Sequence, residues 1–486
     1  MSPKNHVFCG YPSAFIYENP DSMSVPRKHL FWGDTIELLN DEKNGFLKAY
    51  SRDETGWIKK TETLENPILD IIFLDVGQGD SCIIVTPQDE KIIVDAGVGN
   101  NLLRYLRWRY RSFSTPEMKK MAGNIQSFII THPDEDHYQG LKYLFEDALM
   151  KKVLKVKNIY HNGLFPKKGT GANSLGTRIK VGSKTYVTDL IIDRDDLDRF
   201  LQNTELWRKK EFAKLIDSIR RERQAIDIRM LNHEWNGTPQ LTACKDLAFG
   251  ILGPYVERHG GKRMLRYFGD VGKTKNGHSI LVTLKYKDIG IFLSGDLNAK
   301  SEDYLIERYE SKDVFKADVL KIAHHGSSSF SDQFLEAVRP YVSVISSGDT
   351  ESYSHPRADT LGSIGKMSRG ARPLIFSTEL ARSTPEYFTG LSSLYKDIKK
   401  LKKALLAPNI SVEDKKKMKT ELDEINDRVL NRAVAVYGAI NLRTDGKKLL
   451  MCQKLEKKNP QNEEWDIYLL EPDAATKELK LVLLSK

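Results

Sequence analysis

Short apolar runs, each closed by an aspartate or a histidine, recur along the middle of this 486-residue chain. Ile92-Ile93-Val94 stops at Asp95, and Phe128-Ile129-Ile130 opens onto Thr131-His132-Pro133-Asp134-Glu135-Asp136-His137. Ile291-Phe292-Leu293 leads to Ser294-Gly295-Asp296, and Val319-Leu320-Lys321-Ile322 leads to Ala323-His324-His325-Gly326. Apolar runs of this length predict buried strands. Four strands therefore deliver ionisable side chains at one end. Helical spacing is predicted over 103–111, over 193–223 with aromatics at Phe200, Trp207 and Phe212, and over 395–406 and 413–429. The last two, parted by Ala407-Pro408-Asn409, read as a helical hairpin. Strands resume over 433–442 and 449–454, and a closing pair is predicted over 466–470 and 479–484.

The same pattern divides the chain. Residues 1–66 carry short glycine-punctuated strands around Phe31-Trp32-Gly33-Asp34 and Gly56-Trp57-Ile58-Lys59, and resemble a bacterial SH3-like barrel. Asn66-Pro67 marks a boundary. A main α/β unit follows over 67–385, with a charged insertion at about 165–235 that is expected to shape access to the strand ends. The hairpin occupies 386–432, and strands over 433–486 are expected to complete the main unit.

Two imidazoles and two carboxylates within six residues at a strand end make poor folding chemistry. Each is costly to bury alone, and like charges repel unless a cation separates them. A divalent ion, or a pair of them, removes that penalty and turns the cluster into a catalyst. The plain alternative is a polar surface loop, but three further strands that end the same way argue against it.

In order and wording these motifs resemble the metallo-β-lactamase superfamily, and within it the soluble hydrolase domain of the ComEC group of competence DNA-uptake proteins. The matching stretches are Phe73-Leu74-Asp75-Val76-Gly77-Gln78-Gly79-Asp80-Ser81, Val94-Asp95-Ala96-Gly97, Thr131 through His137, Asn276-Gly277-His278-Ser279, Ser294-Gly295-Asp296, His324-His325-Gly326-Ser327 and Tyr353-Ser354-His355-Pro356. Gly438-Ala439-Ile440-Asn441-Leu442 adds a last one. The resemblance implies an αββα sandwich with a dinuclear centre. In it His132 and Asp134 would hold the first ion, and Asp136, His137 and one of His324 or His325 the second. Asp296 would bridge the two, and Asp95 would orient the ligand loop. Asp75 and Asp80, flanking a glycine turn, are candidates for support without contact, or for holding only their own turn.

The chain departs from that pattern twice. Asp134 stands where the superfamily usually has histidine, and the third histidine of the first site has no certain counterpart; His278 is a candidate there, as is a plain turn residue. Carboxylate in place of imidazole hardens the site and favours Mn²⁺ relative to Zn²⁺. Activity with Mn²⁺ is expected to at least match that with Zn²⁺ in chelator-stripped protein. The implied reaction is in-line attack on a phosphodiester by hydroxide formed from a bridging water, with Asp136 at the reacting centre. His355 is a candidate proton donor to the leaving oxygen, or else a structural turn histidine.

The composition is that of a soluble protein, 40% hydrophobic and 29% charged, with no apolar run long enough to span a bilayer. Cys9, Cys82, Cys244 and Cys452 show no CxxC spacing, and the N-terminus has no secretion-type apolar segment, so a cytoplasmic setting is expected. A net charge of +9 favours polyanions. Arg104, Arg107 and Arg111 share a helical face among aromatics and are candidates for gripping nucleic acid, or else for an ordinary solvated face. The reading that unites these features is a nuclease acting on DNA. Its alternatives are a hydrolase of a small phosphodiester or ester, and a non-catalytic subunit that binds protein partners through its SH3-like module or hairpin.

Overall fold

The computed structural model describes residues 6–77, 79–111, 114–235, 241–348, 353–379, 397, 400–401, 403–405, 410–430 and 438–482. Two β-sheets face each other across an apolar layer and carry helices on their outer faces. The larger sheet has ten strands. Its centre is formed by Leu69–Phe73, Cys82–Val85, Lys91–Val94, Ile125–Ile129 and Asn158–His161, which neighbour one another in chain order. The smaller has six strands, among them Leu281–Tyr286, Ile289–Leu293, Val319–Lys321 and Val342–Ile345.

Period-two alternation decides which sheet face each residue joins. Leu69, Ile71, Ile84, Ile92 and Ile129 meet Val282, Leu284, Ile291, Val319 and Val342 in the layer between the sheets. Ile72, Ile83, Ile93, Phe128 and Ile159 point the other way, beneath Leu102, Leu106, Leu141, Leu144 and Ile216 of the outer helices. On the far side Phe292, Leu320 and Ile345 pack under Leu305, Phe334 and Ile364. The order is helix, sheet, sheet, helix. These strands are buried on both faces, which is why they read as continuous apolar runs.

The C-terminal strand Ile440–Thr444 pairs antiparallel with Leu69–Phe73, and Leu449–Lys454, Trp465–Pro472 and Leu479–Val482 extend that edge. Strands between His6 and Leu64 form a separate seven-stranded antiparallel sheet with its own apolar centre around Ile16, Leu30, Ile36 and Ile58. Of the expected hairpin, the helix Val412–Leu430 is described, while its first arm falls largely outside the described residues. The insertion behaves differently from the expectation. Phe200, Trp207 and Phe212 are buried, and Phe212 packs 5.0 Å from Tyr138 of the motif helix Glu135–Glu146. Those aromatics build the outer helical layer. A small sheet, formed by Arg178–Val181, Lys184–Val187, Glu257–His259 and Lys262–Arg266, leads instead into the helix Val271–Gly277 beside the strand ends. Its short strands lie on either side of the helical stretch of 193–223, two before it and two after, and none is an apolar run.

Candidate metal centre

Parallel pairing places Asp95 and the 131–137 loop on one sheet, and Asp296 with the 323–326 turn on the other, at a common edge. His132, His137, Asp296 and His325 are all buried there, and Asp136 lies beside them. Asp296 Oδ2 is 3.4 Å from His137 Nε2, 3.4 Å from His325 Nε2 and 4.0 Å from His132 Nε2. Asp136 lies 3.6 Å from His325 Nε2 and 3.9 Å from His137 Nε2. These gaps are long for hydrogen bonds. They suit donors around a shared ion, since ligands about 2.1 Å from a tetrahedral centre lie about 3.4 Å from each other.

The outer nitrogens of the three imidazoles are held from behind. His137 Nδ1 donates to Asp95 Oδ2 at 2.8 Å, and Asp95 is itself fixed by the Thr131 amide and hydroxyl, each at 2.7 Å. His325 Nδ1 donates to the Ser346 carbonyl at 3.0 Å, with Asp80 at 3.4 Å. His132 Nδ1 meets Thr131 Oγ1 at 3.1 Å. Each network holds the ring by its Nδ1 side and leaves Nε2 turned inward. Those three Nε2 atoms are buried and make no hydrogen bond. Buried polar atoms are nearly always partnered, so three such atoms converging on one point, beside carboxylates, fit a divalent ion. Among the described residues the candidate three-ligand sets are His132, His137 and Asp296; Asp136, His137 and His325; Asp80, Asp296 and His325; and Asp80, Asp95 and His137.

Backbone constraints aim the loops. His324 and His325 both adopt left-handed conformations, with φ of 49° and 55°. Such residues cost about 1–3 kcal/mol each and persist where surrounding structure enforces them. Gly79, at φ +94°, lets the Asp75–Asp80 turn touch the motif loop; a Cβ there would stand 1.8 Å from the Asp136 carbonyl oxygen.

Charge is balanced closely. Burial disfavours the charged form of His137, but Asp296, Asp95 and Asp136 outweigh it and hold its pKa well above the usual value. His325 is raised likewise by Asp296 and Asp80 against burial. His132, buried next to His137, is pushed down to about 3. For Asp80, Lys321 and His325 overcome burial and pull the pKa down to about 2.

Of the two candidate histidines at 324 and 325, the cluster takes His325; the His324 ring lies 5.8 Å from that of His355. His355 is nearly buried, 6.4 Å from the His325 ring and stacked on exposed Tyr353. Asp80 reaches His325 at 3.4 Å, whereas Asp75 accepts from the Gly77 amide of its own turn at 3.1 Å. His278 faces away: its Nε2 donates to the Arg266 carbonyl at 2.7 Å. Asp134 is drawn toward Lys275 and is 3.5 Å from His132 Nε2. The arginine face is not displayed as expected, because the helix lies against the N-terminal sheet and its own neighbours. Arg107 is buried on Asp147 at 2.6 Å, Arg111 meets Glu37 at 3.4 Å, and Arg104 donates to Asn101 at 3.2 Å.

Three contributors had not been singled out. Lys321 makes a buried ion pair with Asp80, and a lysine inside an otherwise apolar strand was the available clue. Ser279 donates to the backbone of neither ligand but accepts from the Asp296 amide at 3.0 Å and lies 3.4 Å from His132 Nδ1. Lys275, within a run of ordinary surface-type lysines, gave no signal.

Fold and site together define a four-layer α/β protein with a His/Asp cluster suited to a divalent metal. Among known proteins, the chain is 24% identical to ComE operon protein 3 of Bacillus subtilis over 303 residues, 60% of this chain and 30% of that protein. It is 37% identical over 82 residues to competence protein ComA of Neisseria gonorrhoeae (17% of this chain, 12% of that one). Over 87 residues it is 34% identical to recombination protein 2 of Haemophilus influenzae (18% and 10%). The chain thus spans under a third of the length of the curated relatives it matches. No family model matches. Solved structures similar in part include unliganded yeast PDE1 (12% identity, TM-score 0.31, 64% of this chain and 87% of that one). A Parabacteroides distasonis protein assigned as a metal-dependent hydrolase also overlaps (8%, TM-score 0.26, 76% and 98%). Superpositions this loose bear on neither chemistry nor substrate.

Proposed function

We propose that this chain is a metal-dependent phosphodiesterase whose substrate is DNA. The observation that carries the reading is the convergence of three buried, unbonded Nε2 atoms on the Asp296 carboxylate, at ligand spacing. A divalent ion bound there would make a water nucleophilic at neutral pH and offset charge developing on a phosphoryl group.

The chain's own groups perform the rest. Asp95 and the Ser346 carbonyl lock His137 and His325 in place, and Lys321 steadies Asp80 behind His325. Asp136 faces the reacting centre. His355, set beyond the ligands, gives a proton to the departing oxygen, a task suited to imidazole. DNA is favoured by the net charge of +9 and by relatives named for competence and recombination. All four cysteines are buried and free, which suits the reducing cytoplasm we propose for it. Among the described residues no helix is long and apolar enough to cross a membrane.

The test is incubation of purified protein with Mn²⁺ and linear DNA, beside Asp136→Ala and a bis-aryl phosphodiester. Cleavage of DNA that the substitution abolishes is the expected result. Cleavage of the aryl substrate alone would move the substrate class to small phosphodiesters, and no cleavage of either would point to a binding role.

A further inference from the structure

Asp134 is the expected ligand carboxylate that joins none of the groupings of converging donor atoms among the described residues, and like Asp80, which pairs with Lys321, it meets a lysine. Its Oδ1 contacts the Lys275 ammonium, and its Oδ2 accepts from the Asn276 amide at 3.1 Å, with that amide oriented as its neighbours require. Lys275 is no loose surface group, since its side chain is only 18% exposed. It comes from the helix Val271–Gly277, which Asp270 caps by accepting from the Lys273 amide and which His278 pins to the Arg266 carbonyl. Asp136 and Asp296, in contrast, lie against the imidazoles of His137 and His325, and the groupings whose donor atoms converge include both of these aspartates but never Asp134. Beside Asp134 the neighbouring donor is His132 Nε2, at 3.5 Å, which already converges with His137 and Asp296, and this leaves too few protein donors for a second tightly held ion.

We propose that the Lys275 ammonium stands in for a second cation beside Asp134, so that the centre takes up one divalent ion, at the Asp296 carboxylate where the three Nε2 atoms converge. This rests on the metal-centre reading above. A fixed ammonium neutralises Asp134 as an ion would. It also leaves a positive charge beside the centre, where a phosphate oxygen can meet it.

The experiment is the metal content of the full chain, loaded with Mn²⁺, passed through gel filtration and measured by elemental analysis, with Mn²⁺ electron paramagnetic resonance as a second readout. The native protein is expected to retain one ion with an isolated-ion spectrum. Lys275→Met, or Lys275→Ala should the longer side chain misfold, is expected to retain two with a spin-coupled spectrum, because Asp134 is released as a ligand. Adding Asp134→Asn to either should return the count to one. Two ions in the native protein would overturn this inference and leave the metal-centre reading standing, as would a single ion in every variant. No ion in any protein would overturn both.

Discussion

The His137–Asp95 pair shows how single residues decide what this cluster can do. Asp95 holds one imidazole nitrogen so that the other faces the ligands, and it is itself fixed by two bonds from Thr131. Loss of such supporting partners costs about 10- to 100-fold in metal affinity elsewhere. Asp95→Asn is therefore expected to fold but to weaken Mn²⁺ binding by about that factor, measured by titration calorimetry; unchanged affinity would contradict the role given to Asp95. His355 makes a different kind of claim. If it protonates the departing oxygen, His355→Ala should lower kcat on DNA by about 100-fold or more. It should matter far less for a p-nitrophenyl ester, whose leaving group needs no proton. Equal losses on both substrates would make it a structural histidine.

The strand-end side chains that cluster were legible in sequence because both halves of the signal are local: an apolar run and the ionisable residue that ends it. Lys275, Ser279 and Lys321 were not, since each reaches the cluster from an element whose own pattern gives no hint of what it faces. His278 shows the converse. Its motif lay in the right part of the chain, but the ring turns to a backbone carbonyl.

Among the elements, the joint between the N-terminal sheet and the main unit carries the heaviest buried charge. Arg52, Asp34, Arg443, Asp70 and Arg109 form a continuous chain of ion pairs, from 2.6 Å at Arg52–Asp34 to 3.1 Å at Arg443–Asp70. Phe31 packs on Trp465 beside it with the rings tilted at 57°, and the Arg443 guanidinium lies 4.1 Å over the Phe31 ring. Removing one partner of such a network strands the others, at about 3–5 kcal/mol. Arg443→Ala should lower the guanidinium unfolding midpoint accordingly, and a change under about 1 kcal/mol would show the joint to be incidental. The network also sets a pH dependence. Burial opposes ionisation of Asp34 and Asp70, but Arg52 and Arg443 for the first, and Arg443 and Arg109 for the second, pull their pKa values below the usual range. Their contribution to stability is thus complete above the unfolded carboxylate pKa of about 3.9 and is lost as pH falls through the lower folded values. The glycine-punctuated strands of 1–66 announced a β unit, but nothing in their pattern could reveal which face would be committed to Arg443, far along the chain. The arginine helix was misjudged for the same reason: Arg107 and Arg111 look free in sequence until Asp147 and Glu37 arrive from other elements.

At the scale of the whole molecule, two sheets with outer helices bring four strand ends from both halves to one edge, and every catalytic argument depends on that meeting. The apolar runs announced buried strands and the family resemblance supplied the layering, whereas nothing in the sequence pattern announced the small sheet around Lys184–Val187 and Lys262–Arg266. That small sheet delivers Lys275 to the centre, so the least legible part of the fold bears on how many ions it holds. The most direct test of the account is the metal retained by the full chain after Mn²⁺ loading and gel filtration, compared with His325→Ala and His324→Ala. Retention by the native protein and by His324→Ala, with loss in His325→Ala, is the predicted result; a native protein that keeps no ion, or a His325→Ala variant that keeps as much, would contradict it.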